Sequence, residues 1–503
     1  MTLFVDRLRE TCHDMAFKPA LVLSDGPDVG QVSYGTLLSS AMATSEWLSS
    51  LGVVQRDRVA VCLPKCLAAI QLHLGACSMG AISLPLNPAY SKPELDYLMR
   101  DSEAKILVVE SNPGLTNEPE SAPAVPAGRL VPIDTLSFSA SMLRRDPGVD
   151  CGAKIVPSTP ALMLYTSGTT GRPKGACMSH GSLTANMDML RDAWQWNVDD
   201  SLLHVLPLFH VHGLLVALHG ALHVGATTVL HSRFDAAATV RDLQGGSNTV
   251  FMGVPTVYRR ILAEIGDARI HLPAVRLLTS GSDRLPVEVF RAIERHLGHT
   301  VVERYGMTEA GIMLSNPLDG RRVEGQVGVP LEGVQMRVID PSTGKPTPRG
   351  TVGELQTRGP HLFLGYWRDP SKTRASFTDD GWFRTGDLGQ CDENGYYEIK
   401  GRQTDLIISG GMNVYPAEVE HVLAGHPGVA QCAVAGLPDP EWGEAVTAFV
   451  VPGPKRPEES DLIHHCRASL APYKAPKRFR FVQNLPRNAM GKVQKKALLA
   501  TSD

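Results

Sequence analysis

The 503-residue chain is longer than one hydrophobic core organises, so a large body of several cores, with a smaller appended domain, is expected. A hydrophobic fraction of 43% and a charged fraction of 20% exclude a disordered or fibrous protein. The formal charge of -3 gives no broad attraction for nucleic acid or an anionic membrane, so an anionic ligand must be held by a local site. Met1 to Ala16 lacks a basic stretch followed by an apolar core, and nowhere is there an apolar run of about eighteen residues, so neither secretion nor membrane spanning is predicted and a cytoplasmic protein is expected. Nine scattered cysteines, with Cys62 and Cys66 the one close pair, predict reduced thiols rather than a zinc site or a disulfide frame.

From Val59 to Leu86 the apolar runs VAVCL and AISLPL flank the helix-like AAIQLHLGACSMGA, and KILVV follows another helical pattern. That βαβ rhythm predicts a mostly parallel sheet covered by helices. Asn112 to Gly128, rich in Pro, Ser, Glu and Gly, reads as a surface loop. A second βαβ rhythm runs through TTVL, TVFMGVP, VRLLTSG and HTVVERYG, and ligand groups gather at the carboxyl ends of such strands. After Gly350, GELQTRG and GYYEIKGR between tight turns predict a small β-rich subdomain. Past Asp405 the helices AEVEHVLAGH and ESDLIHHCRASL alternate with the strands VAQCAVAGL and AVTAFVV. The class is therefore α/β, with a large domain over 1–401, built of βαβ subdomains and a small β subdomain, and an α+β domain over 402–503.

The segment from Thr166 through Ser167, Gly168, Thr169, Thr170 and Gly171 to Lys174 and Gly175 follows the apolar strand Ala161 to Tyr165. Its glycines let backbone N–H groups approach an anion, its hydroxyls add donors and Lys174 adds charge, which makes it a phosphate cradle. It is not a Walker A loop, because Lys174 lies between Pro173 and Gly175 instead of between Gly and Ser or Thr. Further along stand Tyr305-Gly306-Met307-Thr308-Glu309, Thr385-Gly386-Asp387, Arg402 with Asp405, Gly410-Gly411-Met412-Asn413, and Pro486 to Lys492.

In this order the segments resemble the adenylate-forming superfamily, which includes acyl-CoA synthetases, peptide-synthetase adenylation domains and firefly luciferases. The resemblance implies an enzyme that uses ATP, Mg²⁺ and coenzyme A to activate a carboxylic acid as its adenylate and pass the acyl group to a thiol. It implies that Tyr305 stacks on adenine, that Thr308 and Glu309 lie near the phosphates and the metal, and that Asp387 and Arg402 hold the ribose. It further implies that Lys492 is the catalytic lysine, that Gly410 and Gly411 line the pantetheine channel, and that the small domain is mobile. Thr404 stands at the hinge position, where Asp or Lys is usual in the family. An attack of one anion on another requires the cationic groups that the metal and Lys492 would supply.

Glu303-Arg304 ahead of Tyr305 resembles the malonyl-CoA synthetase branch. An arginine there could clamp the second carboxylate of a short diacid in two hydrogen bonds, or could instead pair with Glu303 for structural reasons. His210, in Pro207 to Gly213, and Ser280-Gly281 extend the resemblance to the acyl pocket, whereas Asp283 and Arg284 replace the usual small apolar pair. Malonate, with methylmalonate beside it, is the acid expected. The alternatives are a short- or medium-chain monocarboxylate synthetase and a free-standing enzyme that loads a carrier protein. Small molecules are the expected partners, with no nucleic acid and no membrane.

Overall fold

The computed structural model describes residues 3–25, 30–111, 129–145, 154–166, 173–410, 412–487 and 493–500. The tract expected as a loop from Asn112 to Gly128 lies outside them. The chain forms two compact units, Met1–Gln335 with Arg358–Gly381, and Met336–Thr357 with Trp382–Asp503. The junction expected at Gly401 and Arg402 falls within the second unit, at the end of strand Tyr397–Arg402.

The first unit holds two sheets. In one, Arg58–Cys62 lies between the parallel strands Ile82–Pro85 and Ile106–Glu110, as the βαβ rhythm predicts. The crossover helix Leu67–Ser78 buries almost every side chain, because it is apolar all round and packs between the sheet and the helices Tyr34–Ser50 and Thr135–Arg144. Gly75 makes that approach possible, since a Cβ there would sit 2.8 Å from Thr44. Beyond Ile82–Pro85 the sheet continues through Pro160–Thr166, Lys174–Ser179 and the short Gly365–Tyr366.

In the other sheet, Ser201–His204, Thr227–Leu230, Val250–Gly253, Leu277–Ser280 and Val302–Met307 are parallel neighbours, and Gly311–Ser315 folds back antiparallel on the last. Their apolar runs bury Leu203, Phe251 and Leu278 under helices carrying Tyr258 and Ile293. Because these five strands are parallel, the carboxyl ends at His204, Gly253, Ser280 and Met307 share one edge.

In the second unit, Val429–Asp439 and Gly443–Pro452 form a long hairpin, and helices Pro416–Ala424 and Glu459–Ser469 cover it through Val419, Leu423, Leu462 and Cys466. The β-rich segment forms an antiparallel sheet of Gln335–Ile339, Gly353–Arg358, Phe383–Cys391 and Tyr397–Arg402. The α/β class with large sheets and a small C-terminal β domain is what the sequence led one to expect. The described cysteines are free thiols, and no described helix is long and apolar enough to cross a membrane.

Candidate active site

In the first unit, Thr166 and Lys174 face each other at the open end of the hairpin Pro160–Thr166 and Lys174–Ser179. Of the cradle between them, Ser167, Gly168, Thr169 and Thr170 lie outside the described residues, as do Gly411 and Lys492 elsewhere. Lys174 Nζ stands 5.1 Å above the Tyr366 ring, and the Tyr366 hydroxyl donates to Glu309 Oε1 at 2.9 Å. Burial, and then the neighbouring Lys372, hold Lys174 down to about 8. Lys174 and Glu309 thus meet through Tyr366, a residue that no motif marked.

Glu309 follows strand Val302–Met307 in a tight turn. Its carboxylate is buried, whereas Tyr305, Met307 and Thr308 are half-exposed. The turn depends on two glycines: a Cβ on Gly306 would lie 2.1 Å from Gly311 O, and Gly311 takes φ +58° against Asn186. Asn186 closes the turn by donating to Ile312 O at 2.9 Å and accepting from Ile312 N at 3.3 Å.

Along the same strand, Glu303 and Arg304 point to opposite faces, as the two-residue period of a strand requires. The pairing of Arg304 with Glu303 that the sequence left open is not made. Glu303 instead accepts from Gly325 N at 3.2 Å, and burial pushes its carboxyl up to about 8. Arg304 is 4% exposed, has no carboxylate partner among the described residues, and leaves Nε and Nη2 without a hydrogen bond. Burial pulls it down to about 9, so it stays charged at neutral pH. The guanidinium packs against Gly281, where a Cβ would come within 2.5 Å of Nε and Cζ.

Near Arg304 another polar group is under-used, since His212 Nε2 is buried with no partner. Ser280 Oγ is also buried without one, but Ser280 is in register with Glu303 and so shares the face opposite Arg304. His212 Nδ1 is 3.2 Å from the Oγ of Ser282, a residue held at φ +69°, and His212 N donates to His210 Nδ1 at 3.3 Å. Burial, then the charges of Arg304, His210 and His204, hold His212 well below the usual imidazole range. His212 opens the π-helix His212–His219, and its neighbour Gly213 allows that helix to seat, since a Cβ there would lie 2.1 Å from Pro207 O. Gly281, His210 and Arg304 thus lie near one another, Ser280 turns to the face of Glu303, and His212 and Ser282, which stand beside them, were missed. Their place two residues on, in the same strand-end loops, was the available signal.

In the second unit, Asp387 and Arg402 are cross-strand partners in register, with Arg402 Nε 2.8 Å from Asp387 Oδ1. Asp387 is 5% exposed, and its backbone N donates to Thr385 Oγ1 at 3.0 Å. Gly386, at φ +70°, makes the turn that aims the carboxylate. Gly410, at φ +58°, packs against Trp442 and donates from its N to Trp442 O at 2.8 Å.

The AMP-binding enzyme family matches residues 8–367, and its C-terminal domain matches 418–492. The crystal structure of ATP-bound MatB from Rhodopseudomonas palustris superposes with a TM-score of 0.93 at 39% identity, over 99% of this chain and 98% of that one. A malonate–CoA ligase of Arabidopsis thaliana is 35% identical over 93% of this chain and 84% of its own length. A sulfoacetate–CoA ligase of Cupriavidus necator is 36% identical over 96% of this chain and 94% of its own length. The chain belongs to the AMP-binding enzyme family and is an ATP-dependent acyl-CoA ligase.

Proposed function

We propose that the acid is malonate, with methylmalonate a close second, and that the chain forms the acyl-CoA through an acyl-adenylate. One carboxylate oxygen attacks the α-phosphorus of ATP and pyrophosphate leaves; the coenzyme A thiol then attacks the acyl carbon and AMP leaves. The observation that carries the acid is Arg304, a buried cation with two donors unpaired and no carboxylate partner among the described residues. A charge left so is costly, and the distal carboxylate of a short diacid would supply the counter-charge in two parallel hydrogen bonds. Acetate or a fatty acid would leave it bare.

In this reading Tyr305 stacks on adenine, Asp387 and Arg402 hold the ribose, and Thr166 to Thr170 with Lys174 cradle the phosphates. Lys492 stands between the attacking carboxylate and the α-phosphate, and Gly410 and Gly411 flank the pantetheine arm. Glu309 and Thr308 offer the oxygen donors that Mg²⁺ prefers, and among the described residues no cluster of three or more His, Cys, Asp or Glu could hold a metal. That fits an ion bound through one carboxylate and substrate phosphates rather than in an all-protein cage. Bound there, Mg²⁺ would neutralise phosphate charge. Glu309, fixed by the Tyr366 hydroxyl, orients the oxygen that faces it.

A second reading puts a sulfonate in place of the distal carboxylate. Three buried polar atoms at Arg304 lack partners, namely its Nε and Nη2 and the nearby His212 Nε2, and a sulfonate presents three oxygens to them against two for a carboxylate. The test is pyrophosphate release with ATP, Mg²⁺ and coenzyme A across malonate, methylmalonate, sulfoacetate, succinate, acetate, butyrate and octanoate. Malonate should lead. A lead for sulfoacetate selects the second reading, and a lead for a monocarboxylate defeats both.

A further inference from the structure

We propose that Lys65 is a positioning residue for the acid: it reaches from one sheet of the first unit to the other and fixes the loop that carries His210 and delivers His212. Lys65 stands in the turn between strand Arg58–Cys62 and the crossover helix Leu67–Ser78. Its Nζ donates to His204 O at 3.1 Å and to Leu206 O at 3.0 Å. His204 ends strand Ser201–His204, so the lysine joins the carboxyl ends of two strands that belong to different sheets. His204 O also accepts from His231 N at 3.1 Å, at the end of the parallel ladder with Thr227–Leu230. Leu206 O lies beyond that ladder, directly before Pro207, and there Lys65 takes over the hold on the chain.

The loop 205–211 passes this hold on to the site. Pro207 O lies so close to Gly213 that a Cβ there would be 2.1 Å away, and a close-packed contact of that kind transmits a shift instead of absorbing it. His204 Nε2 donates to Gly213 O at 2.8 Å and Leu214 N to His210 O at 2.9 Å, which seat the start of the π-helix on the loop. At the far end, His212 Nδ1 is 3.2 Å from Ser282 Oγ, and the neighbouring Gly281 packs against the Arg304 guanidinium. A displaced Leu206 carbonyl therefore displaces His210 and His212 relative to Arg304. Burial holds Lys65 down to about 7 against the opposing charge of Asp25. The amine left by proton loss keeps two N–H donors for two carbonyls, so the hold outlasts the charge. The inference rests on the acyl pocket of the proposed function and is independent of which acid fills it.

The experiment compares wild-type, Lys65→Met and Lys65→Arg by kcat/KM for the leading acid of the panel and for a trailing one, and by titration calorimetry with MgATP. In Lys65→Met the ratio of the two kcat/KM values should fall about tenfold or more, the scale set by a positioned group displaced by about 1 Å. The Kd of MgATP should stay within about twofold of wild-type, which also certifies the fold. Lys65→Arg, whose guanidinium offers N–H groups side by side, should recover most of the ratio. Where Lys65→Met does not fold, Lys65→Gln takes its place and the same ratio is read. A lysine that only supports the fold would change the amount of active enzyme, which scales both acids alike; an unchanged ratio therefore overturns the proposal, as does an equal loss of MgATP affinity. A monocarboxylate leading in the wild-type would count against the proposed acid instead, and the ratio still tests Lys65.

Discussion

Two arginines of this chain neighbour motif carboxylates and live in opposite circumstances. Arg402 is 43% exposed at its side chain and already paired with Asp387, whereas Arg304 is buried, has no carboxylate partner among the described residues and leaves two donors idle. An exposed, paired guanidinium costs the fold little, and a ligand must compete for its partner. A buried, unpaired one is a standing cost that a complementary anion removes on binding. On the function proposed above, the contrast separates a group that holds ATP from one that selects among acids.

The largest expected effect comes from removing the selective group. Arg304→Ala should lower kcat/KM for malonate by about 2–5 kcal/mol, roughly 30- to 4,000-fold, while monocarboxylate activity changes little; equal losses for both would erase the contrast. Gly281→Ala leaves the charge but takes its place, since the new Cβ would overlap the guanidinium at 2.5 Å. Malonate kcat/KM should then fall by about tenfold to a hundredfold, with the Kd of ATP unchanged, because misplacement of a positioned group by about 1 Å has that scale of cost.

Burial also marks three histidines of the first unit. His73 Nε2 lies 2.6 Å from His219 Nε2, and both rings are buried with His180. Burial holds His73 at about 3, His180 at about 4 and His219 well below the usual range. Their folded pKa values lie below the unfolded value of about 6.5, so the unfolded chain binds more protons as pH falls. Stability is therefore intact above about pH 6.5 and declines below it, by up to about 1.4 kcal/mol per pH unit for each histidine. Urea unfolding at pH 7.5, 6.5 and 5.5 should give a flat upper interval and a steep lower one, and His219→Phe should shallow the lower slope. The smallest effect belongs to the paired arginine: Arg402→Ala should change unfolding free energy by less than about 1 kcal/mol, with its loss visible in the KM of ATP.

Much of this arrangement was legible in the sequence, and what was not has physical reasons. The apolar runs TTVL, TVFMGVP and VRLLTSG became Thr227–Leu230, Val250–Gly253 and Leu277–Ser280 because buried parallel strands read as short unbroken apolar stretches. The strand period also implied that Glu303 and Arg304 part company, a step that needed only the strand to be extended through both. The π-helix His212–His219 could not be read, since HGLLVALH is apolar throughout and carries no period of its own. Tyr366 escaped for a different reason. Its approach to Glu309 and Lys174 depends on a strand of two residues pairing across nearly two hundred positions, and no local pattern records such a contact. Ser167 to Thr170, Gly411 and Lys492, which carry much of the motif argument, lie outside the described residues.

The claim that Arg304 is kept at a cost for its substrate is tested most directly by Arg304→Met, unfolded in urea without ligand and assayed with malonate. Arg304→Met should be more stable than wild-type by about 1 kcal/mol or more and should no longer make malonyl-CoA at an appreciable rate. A variant several kcal/mol less stable would show Arg304 to be a structural group, and the comparison drawn between the two arginines would be wrong.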